Sequence, residues 1–412
     1  MSIPSSERAV IIGAGQAGLQ AAVSLRQARF AGEIALIGAE TALPYQRPPL
    51  SKAYLKGELD LDRLLLRPQS FFDQQNIATE LGVAVAAIDR KNKTLRLADG
   101  RETSYSALLI ATGAPPRRLD MDGARRPGVY YLRTLNDSDS LRAILETNGR
   151  IVIVGGGYIG LEVAAVARAA GRDVTVLEMA DRVLSRVAGP ETSAYFHDLH
   201  AGHGVDLRVG ARLAALDGAG DDDPVSAAVL ADGEKIPCAA VVIGVGATPE
   251  SHLAAEAGLK VENGVWVDET ARTEDRHIWA AGDVANFPSG LYGRRMRLES
   301  VPNAIEQAKI AAANIAGGAL VYDAVPWFWS DQYDVKLQTA GCPSPNYDQV
   351  VRQGASARSR SVWYFDGDRL MAVDAMNEPA AFLIAKRLLG DGARLDREKV
   401  ADPAVDLKSL AG

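Results

Sequence analysis

Residues 151–164 read IVIVGGGYIGLEVA, and residues 9–22 read AVIIGAGQAGLQAA. Each is an apolar run of β-favouring residues, then a glycine turn, then an apolar pattern at helical spacing. Gly13, Gly15 and Gly18 fall at the G-x-G-x-x-G spacing, and Gly155, Gly157 and Gly160 repeat it. The first glycine permits a tight turn. The second lets a pyrophosphate approach the backbone, and the third lets the helix pack close to the strand. The helix start offers unpaired N–H groups and a positive dipole end to the phosphates. A second β run follows each turn and ends near an acid. EIALIGAE ends at Glu40, 22 residues past Gly18, and DVTVLE ends at Glu178, 18 past Gly160. An acid there accepts hydrogen bonds from ribose hydroxyls. Two such devices predict an α/β fold with two Rossmann-like domains and two cofactors, one held tightly and one exchanging. A flavin suits the first, because its ring takes a hydride and releases single electrons. The Glu178 carboxylate repels a 2′-phosphate, so the second site is expected to prefer NADH over NADPH. Arg182 and Arg186 follow it and are cations of the type that attracts that phosphate.

The bulk composition is that of an ordinary soluble globular protein. The 412 residues are 47% hydrophobic and 24% charged, enough for two or three domains with ordinary cores. Net charge is −7, which argues against nucleic acid as the main partner. No apolar run approaches the length of a membrane span, and no cleavable leader is read at the start, so a cytoplasmic location is expected. The two cysteines, Cys238 and Cys342, are far apart and imply no disulfide framework. His197, His200 and His203 lack a completing carboxylate or cysteine cluster, so no metal site is expected. The acidic stretch 217–224 reads as a solvated hairpin tip.

Further motifs carry a family resemblance. In TARTEDRHIWAAGDVAN, Thr273 precedes Gly282 and Asp283. This resembles the second flavin signature of two-dinucleotide flavoproteins, in which the aspartate bonds the ribityl chain of FAD. LLIATGAPPR, with Ala111, Thr112 and Gly113, and VVIGVGATPE, with Gly246, resemble the crossover segments between the two nucleotide domains. RPPLSKAYLKGE from Arg47, RLESVPNAIEQA with Ser300 and Val301, and PWFWSDQYDVKLQ extend the match over nearly the whole chain. The chain resembles the NADH:ferredoxin reductases of bacterial oxygenase systems, the family of putidaredoxin reductase and rubredoxin reductases. Many relatives carry an aspartate directly after the glycine at Gly38; here that position is Ala39, and Glu40 is assigned to the ribose. Disulfide reductases of this architecture need C-x4-C or C-x2-C beside the flavin. The NADH oxidase and peroxidase branch needs a cysteine shortly after the first acid. Neither pattern is present.

The resemblance implies a glutathione-reductase-like fold. Its FAD domain covers residues 1–114 and 245–321, its NADH domain 115–244, and an α/β C-terminal domain 322–412. It implies tightly, non-covalently bound FAD, NADH as donor, and an acidic [2Fe–2S] ferredoxin as acceptor. The ferredoxin in turn feeds an oxygenase such as a cytochrome P450. Rubredoxin is the alternative acceptor, and an NADH-sensing flavoprotein the alternative class. Lys52, which by position alone reads equally as a surface lysine, would lie beside the flavin and pair with Glu162. Tyr158 would cover the ring until nicotinamide displaces it. Trp327 and Trp329 flank Phe328, and strand alternation places both tryptophans on one face; Trp329 is favoured as the residue between flavin and partner. Arg294, Arg295 and Arg297 form a basic run that would steer an acidic ferredoxin, with Lys386, Arg387 and Lys408 adding to it.

Overall fold

The computed structural model describes residues 7–220 and 223–411; Asp221 and Asp222 of the acidic stretch lie outside it. The chain divides into two compact units. One comprises Met1–Gln46, Leu61–Pro115 and Thr248–Pro326. The other comprises Arg47–Asp60, Pro116–Ala247 and Trp327–Gly412.

In the first unit, five parallel strands lie in the order Ile278–Ala280, Ala107–Ile110, Arg8–Ile12, Glu33–Gly38, Ile77–Leu81. Their near-continuous apolar composition suits a sheet covered on both faces. Val10 and Ile11 are fully buried, with Leu36, Leu108 and Leu109 beside them. The glycine-turn helix Gln16–Gln27 packs against the helix Val301–Ile315. The strand order reverses at Arg8–Ile12, which opens a crevice at its carboxyl end. Gly13 lies there.

The second unit repeats the plan. Its parallel sheet runs Asp206–Val209, Val174–Glu178, Ile151–Val154, Ala240–Ile243, Val129–Tyr131. All four residues of Ile151–Val154 are buried. Strands Leu213–Asp217 and Ala227–Leu230 pair in antiparallel fashion on either side of the acidic stretch. The same unit holds a five-stranded antiparallel sheet, ordered Trp327–Gln332, Val335–Gly341, Arg369–Met376, Arg360–Asp366, Asp348–Gln353. Its first hairpin turns at Tyr333, whose φ is +53°. The helix Pro379–Gly390 covers two of its strands. The helix Tyr158–Ala169 and the segment Pro48–Ser51 touch each other, and that helix also packs on strand Trp327–Gln332. One apolar cluster joins Leu161, Val183 and Phe196 to Leu337 and Tyr364.

Candidate active site

Each glycine turn has the shape its spacing predicts. Gly13 has φ +110°, and a Cβ there would run into the Ala111 carbonyl. A Cβ at Gly18 would collide with the Gly13 carbonyl oxygen, whereas one at Gly15 meets nothing within 4 Å. The second turn behaves identically. A Cβ at Gly155 would strike the Gly244 carbonyl and one at Gly160 the Gly155 carbonyl, while Gly157 is open. Gly15 and Gly157 are the N-caps of their helices, and neither helix start is capped by a side chain. An open backbone before an uncapped helix start is what a pyrophosphate requires, so both turns fit a dinucleotide.

Around the first turn, Glu40 accepts a hydrogen bond from the Tyr45 hydroxyl. Thr112 Oγ1 donates to the Glu250 carbonyl at 2.6 Å, and Gly113 follows with φ +76°. Gly282, with φ +83°, donates its N–H to Gln307 Oε1 at 2.9 Å, and a Cβ there would press on Ala17 of the glycine-turn helix at 3.1 Å. Asp283 follows Gly282 directly. Ser300 caps the helix Val301–Ile315 by accepting from the Asn303 N–H at 3.3 Å.

In the second unit, Glu178 closes its own turn: Oε2 accepts from the Gly156 N–H at 2.7 Å and Oε1 from the Ala180 N–H at 2.8 Å. Arg182 is engaged by the Ala188 and Ser185 carbonyls at 2.9 and 3.1 Å. Arg186 lies exposed against Gly246. The Gly246 carbonyl accepts from the Arg117 N–H at 2.8 Å.

The same unit brings together Lys52, Tyr158, Glu162 and the strand carrying Trp329. Lys52 Nζ lies 2.6 Å from Glu162 Oε2. Glu162 is 5% exposed and Lys52 17%. A carboxylate so buried requires full pairing. It has it: Ser51 Oγ donates to Oε2 at 2.5 Å and Ser330 Oγ to Oε1 at 2.6 Å. Sequence reasoning missed both serines; the only local signals were their positions in PPLSK and WFWSDQ. Arg47 Nη1 donates to the Arg133 carbonyl at 2.6 Å, and Ser138 Oγ to the Leu50 carbonyl at 2.8 Å, which pins the segment that presents Lys52.

Tyr158 opens its helix with its ring 4.6 Å from that of Phe328. The residue is half-buried, and its hydroxyl is buried with no well-formed hydrogen bond among the described residues, Thr339 being the polar side chain near it. Burial, then the nearby Asp374 carboxyl, pushes the phenol well above its ordinary value. Trp327 and Trp329 share the opposite face of the strand, with ring centroids 5.8 Å apart, and Lys386 Nζ sits 5.0 Å from the Trp327 ring.

The structure places the three arginines of the basic run differently from one another. Arg295 stacks on Trp266 at 3.5 Å and donates to the Val267 carbonyl at 2.6 Å. Arg297 pairs with Glu299 at 2.7 Å and donates to the Asp283 carbonyl at 2.9 Å. Arg294 is exposed. Of the histidines, His200 is fully buried beside Gln332, and His203 stacks on Tyr333 at 3.6 Å.

With this geometry in view, comparison with known proteins places the chain. Residues 7–308 match the family model described as pyridine nucleotide-disulphide oxidoreductase, and 327–411 match the model described as reductase C-terminal. The chain belongs to the pyridine nucleotide-disulphide oxidoreductase family. It is 44% identical to the 5,5′-dehydrodivanillate O-demethylase ferredoxin reductase subunit of Sphingobium sp., covering 97% of each chain. It is 41% identical to putidaredoxin reductase of Pseudomonas putida, covering 98% of this chain and 97% of that protein. Its structure superposes on the crystal structure of the covalent putidaredoxin reductase–putidaredoxin complex with a TM-score of 0.96, at 40% identity and 99% coverage of each chain. Despite the family's description, no disulfide joins Cys238, which is buried, to Cys342, which is half-buried. Burial pushes the Cys238 thiol up to about 11, where it is a poor nucleophile. Among the described residues, no helix is long and apolar enough to cross a membrane.

Proposed function

We infer that the protein is an FAD-containing, NADH-dependent ferredoxin reductase. It works in the cytoplasm and passes electrons from NADH, one at a time, to a small acidic [2Fe–2S] ferredoxin. That ferredoxin supplies an oxygenase such as a cytochrome P450. The observation that carries this reading is the duplicated cradle: an open glycine before an uncapped helix start, present on two separate parallel sheets. Bound FAD supplies chemistry no side chain provides, accepting a hydride from NADH and releasing the electrons singly.

The chain's own residues bind, orient and set charge. FAD is held by the 13–18 turn, Glu40, Arg47, residues 111–113, Gly282, Asp283, Ser300 and Val301, within a domain spanning 1–114 and 245–321. NADH is held by the 155–160 turn, Glu178 and Gly246, within residues 115–244. Lys52 presents an ammonium to the flavin ring, and Glu162 keeps it charged and aimed. Tyr158 shields the ring and yields to nicotinamide. Trp329, on the 322–412 domain, stands toward the partner, with Arg294, Lys386 and Lys408 as cations available to an acidic surface.

The test is an anaerobic visible spectrum of the purified protein before and after stoichiometric NADH, then NADPH, followed by addition of oxidised ferredoxin. Flavin bands that bleach with NADH faster than with NADPH, and return when ferredoxin is added, are expected. A colourless protein that takes up no added FAD overturns the reading. Bleaching without reduction of any ferredoxin points to an NADH sensor, and turnover with rubredoxin alone changes the acceptor.

A further inference from the structure

The polar surroundings of Glu162 continue past its direct partners. Ser330 Oγ, which donates to Glu162, accepts from Gln332 Nε2 at 3.2 Å. The other end of that amide, Oε1, lies 2.8 Å from His200 Nε2. His200 Nδ1 lies 3.4 Å from the Tyr333 hydroxyl. Ser330, Gln332 and His200 are all completely buried.

The direction of each bond is forced. An ionised carboxylate only accepts, so Ser330 donates to it. The serine lone pair then takes the amide N–H, and the amide oxygen takes the imidazole N–H. That leaves His200 Nδ1 as an acceptor for Tyr333, the arrangement of a neutral ring. Burial depresses the His200 pKa to about 4, which agrees. Every dipole in the chain therefore points its positive end toward Glu162, and aligned hydrogen bonds in a dry interior reinforce one another. The amide in the middle passes a proton only through its imidic acid form, so this is an orienting device rather than a proton wire.

The strand pattern supports a role beyond packing. Phe328, Ser330 and Gln332 share one face of the strand Trp327–Gln332. Two of those three inward positions carry polar groups where apolar ones would pack at less desolvation cost. We propose that Ser330, Gln332 and His200 are positioning residues, a polarised chain that fixes the Glu162 carboxylate and, through it, the Lys52 ammonium presented to the flavin. The proposal rests on the reading that Lys52 faces that ring.

The test compares Ser330→Ala, Ser330→Thr and Gln332→Leu with wild type. The readouts are the midpoint potential of bound FAD, the rate of anaerobic bleaching by NADH, and thermal unfolding. Ser330→Ala is expected to lower the potential and slow bleaching on the order of tenfold, the scale of one hydrogen bond to a charged group. Gln332→Leu should act in the same direction but less, and Ser330→Thr should restore the wild-type values. The Gln332→Leu comparison carries the test alone if the alanine variant does not fold. Potential and rate unchanged in Ser330→Ala and Gln332→Leu, in a background whose wild type bleaches normally, overturn this proposal and leave the functional reading standing. A threonine variant as impaired as the alanine variant also overturns it. Wild-type protein that binds no FAD overturns the functional reading and this proposal with it.

Discussion

At Glu178 one carboxylate shapes the turn, and we propose that the same charge screens the cofactor. Its two oxygens hold the Gly156 and Ala180 N–H groups, an anchored charge that in the proposed NADH site would repel a 2′-phosphate. Glu178→Gln keeps the size and removes the charge. Steady-state kinetics should show the NADH-over-NADPH preference narrowing by roughly tenfold, the worth of one charged contact; an unaltered preference would sink the assignment. The position of Glu178 at the end of its strand was legible because its distance from Gly160 is a local property of strand, turn and helix. Ser330 was not legible as a partner of Glu162, since 168 residues separate them and a serine in a strand carries no mark of its neighbour. The basic run at 294–297 shows the same limit. Its charge is plain in the sequence, but only packing shows that Arg295 is spent on Trp266 and Arg297 on Glu299.

At the scale of elements, the two glycine turns predict different consequences for the same chemical change. Gly15→Ala adds a methyl to open space, so the protein should fold with normal thermal stability yet fail to retain FAD. Gly18→Ala drives a methyl into the Gly13 carbonyl and should not give folded protein. Gly157→Ala should purify yellow and stable, with NADH bleaching slowed on the order of 10²-fold by a displaced pyrophosphate. Thermal melts and visible spectra of the three variants decide this, and equal stability of Gly15→Ala and Gly18→Ala would refute the packing argument. Both turn helices were readable from periodicity, as was the alternation that puts both tryptophans on one face; the contact of Phe328 with Tyr158 on the other face was not. The placement of Arg47–Asp60 was not readable. That segment is short and proline-rich, and Tyr54 and Leu50 reach their partners Asp139 and Ser138 only in the folded chain.

For the whole molecule, charge and burial set the response to solution conditions. The chain carries −7 overall, so attraction of an acidic ferredoxin must come from local cations such as Arg294 and Lys408, and such attraction is screened by salt. Raising ionic strength should slow the second-order reduction of ferredoxin severalfold while leaving NADH bleaching nearly unchanged; equal salt sensitivity of the two steps would contradict charge-steered docking. Acid acts through His200. Its ordinary value of 6.5 falls to about 4 in the fold because burial disfavours the cation beside Gln332, Tyr333, His203 and His197. The folded state thus refuses a proton that the unfolded chain accepts. Stability is intact above pH 6.5 and declines as pH falls toward 4, by roughly 3 kcal/mol from this group. Urea titrations across that window should show the decline, and His200→Gln should flatten it; an identical slope in the variant would rule His200 out.

What the sequence by itself determined is the pair of nucleotide devices, an acid at or just past the end of each second strand and the absence of a cysteine redox pair. Each depends on residues close in the chain, or on simple presence and absence. What only the tertiary structure decided is the interior around Glu162. The resemblance already paired Lys52 with Glu162, but Ser51 and Ser330 reach the same carboxylate from segments far apart in sequence, and their meeting is a property of packing. Burial turns those contacts into strong electrostatics, because a carboxylate removed from water keeps its charge only where donors converge on it.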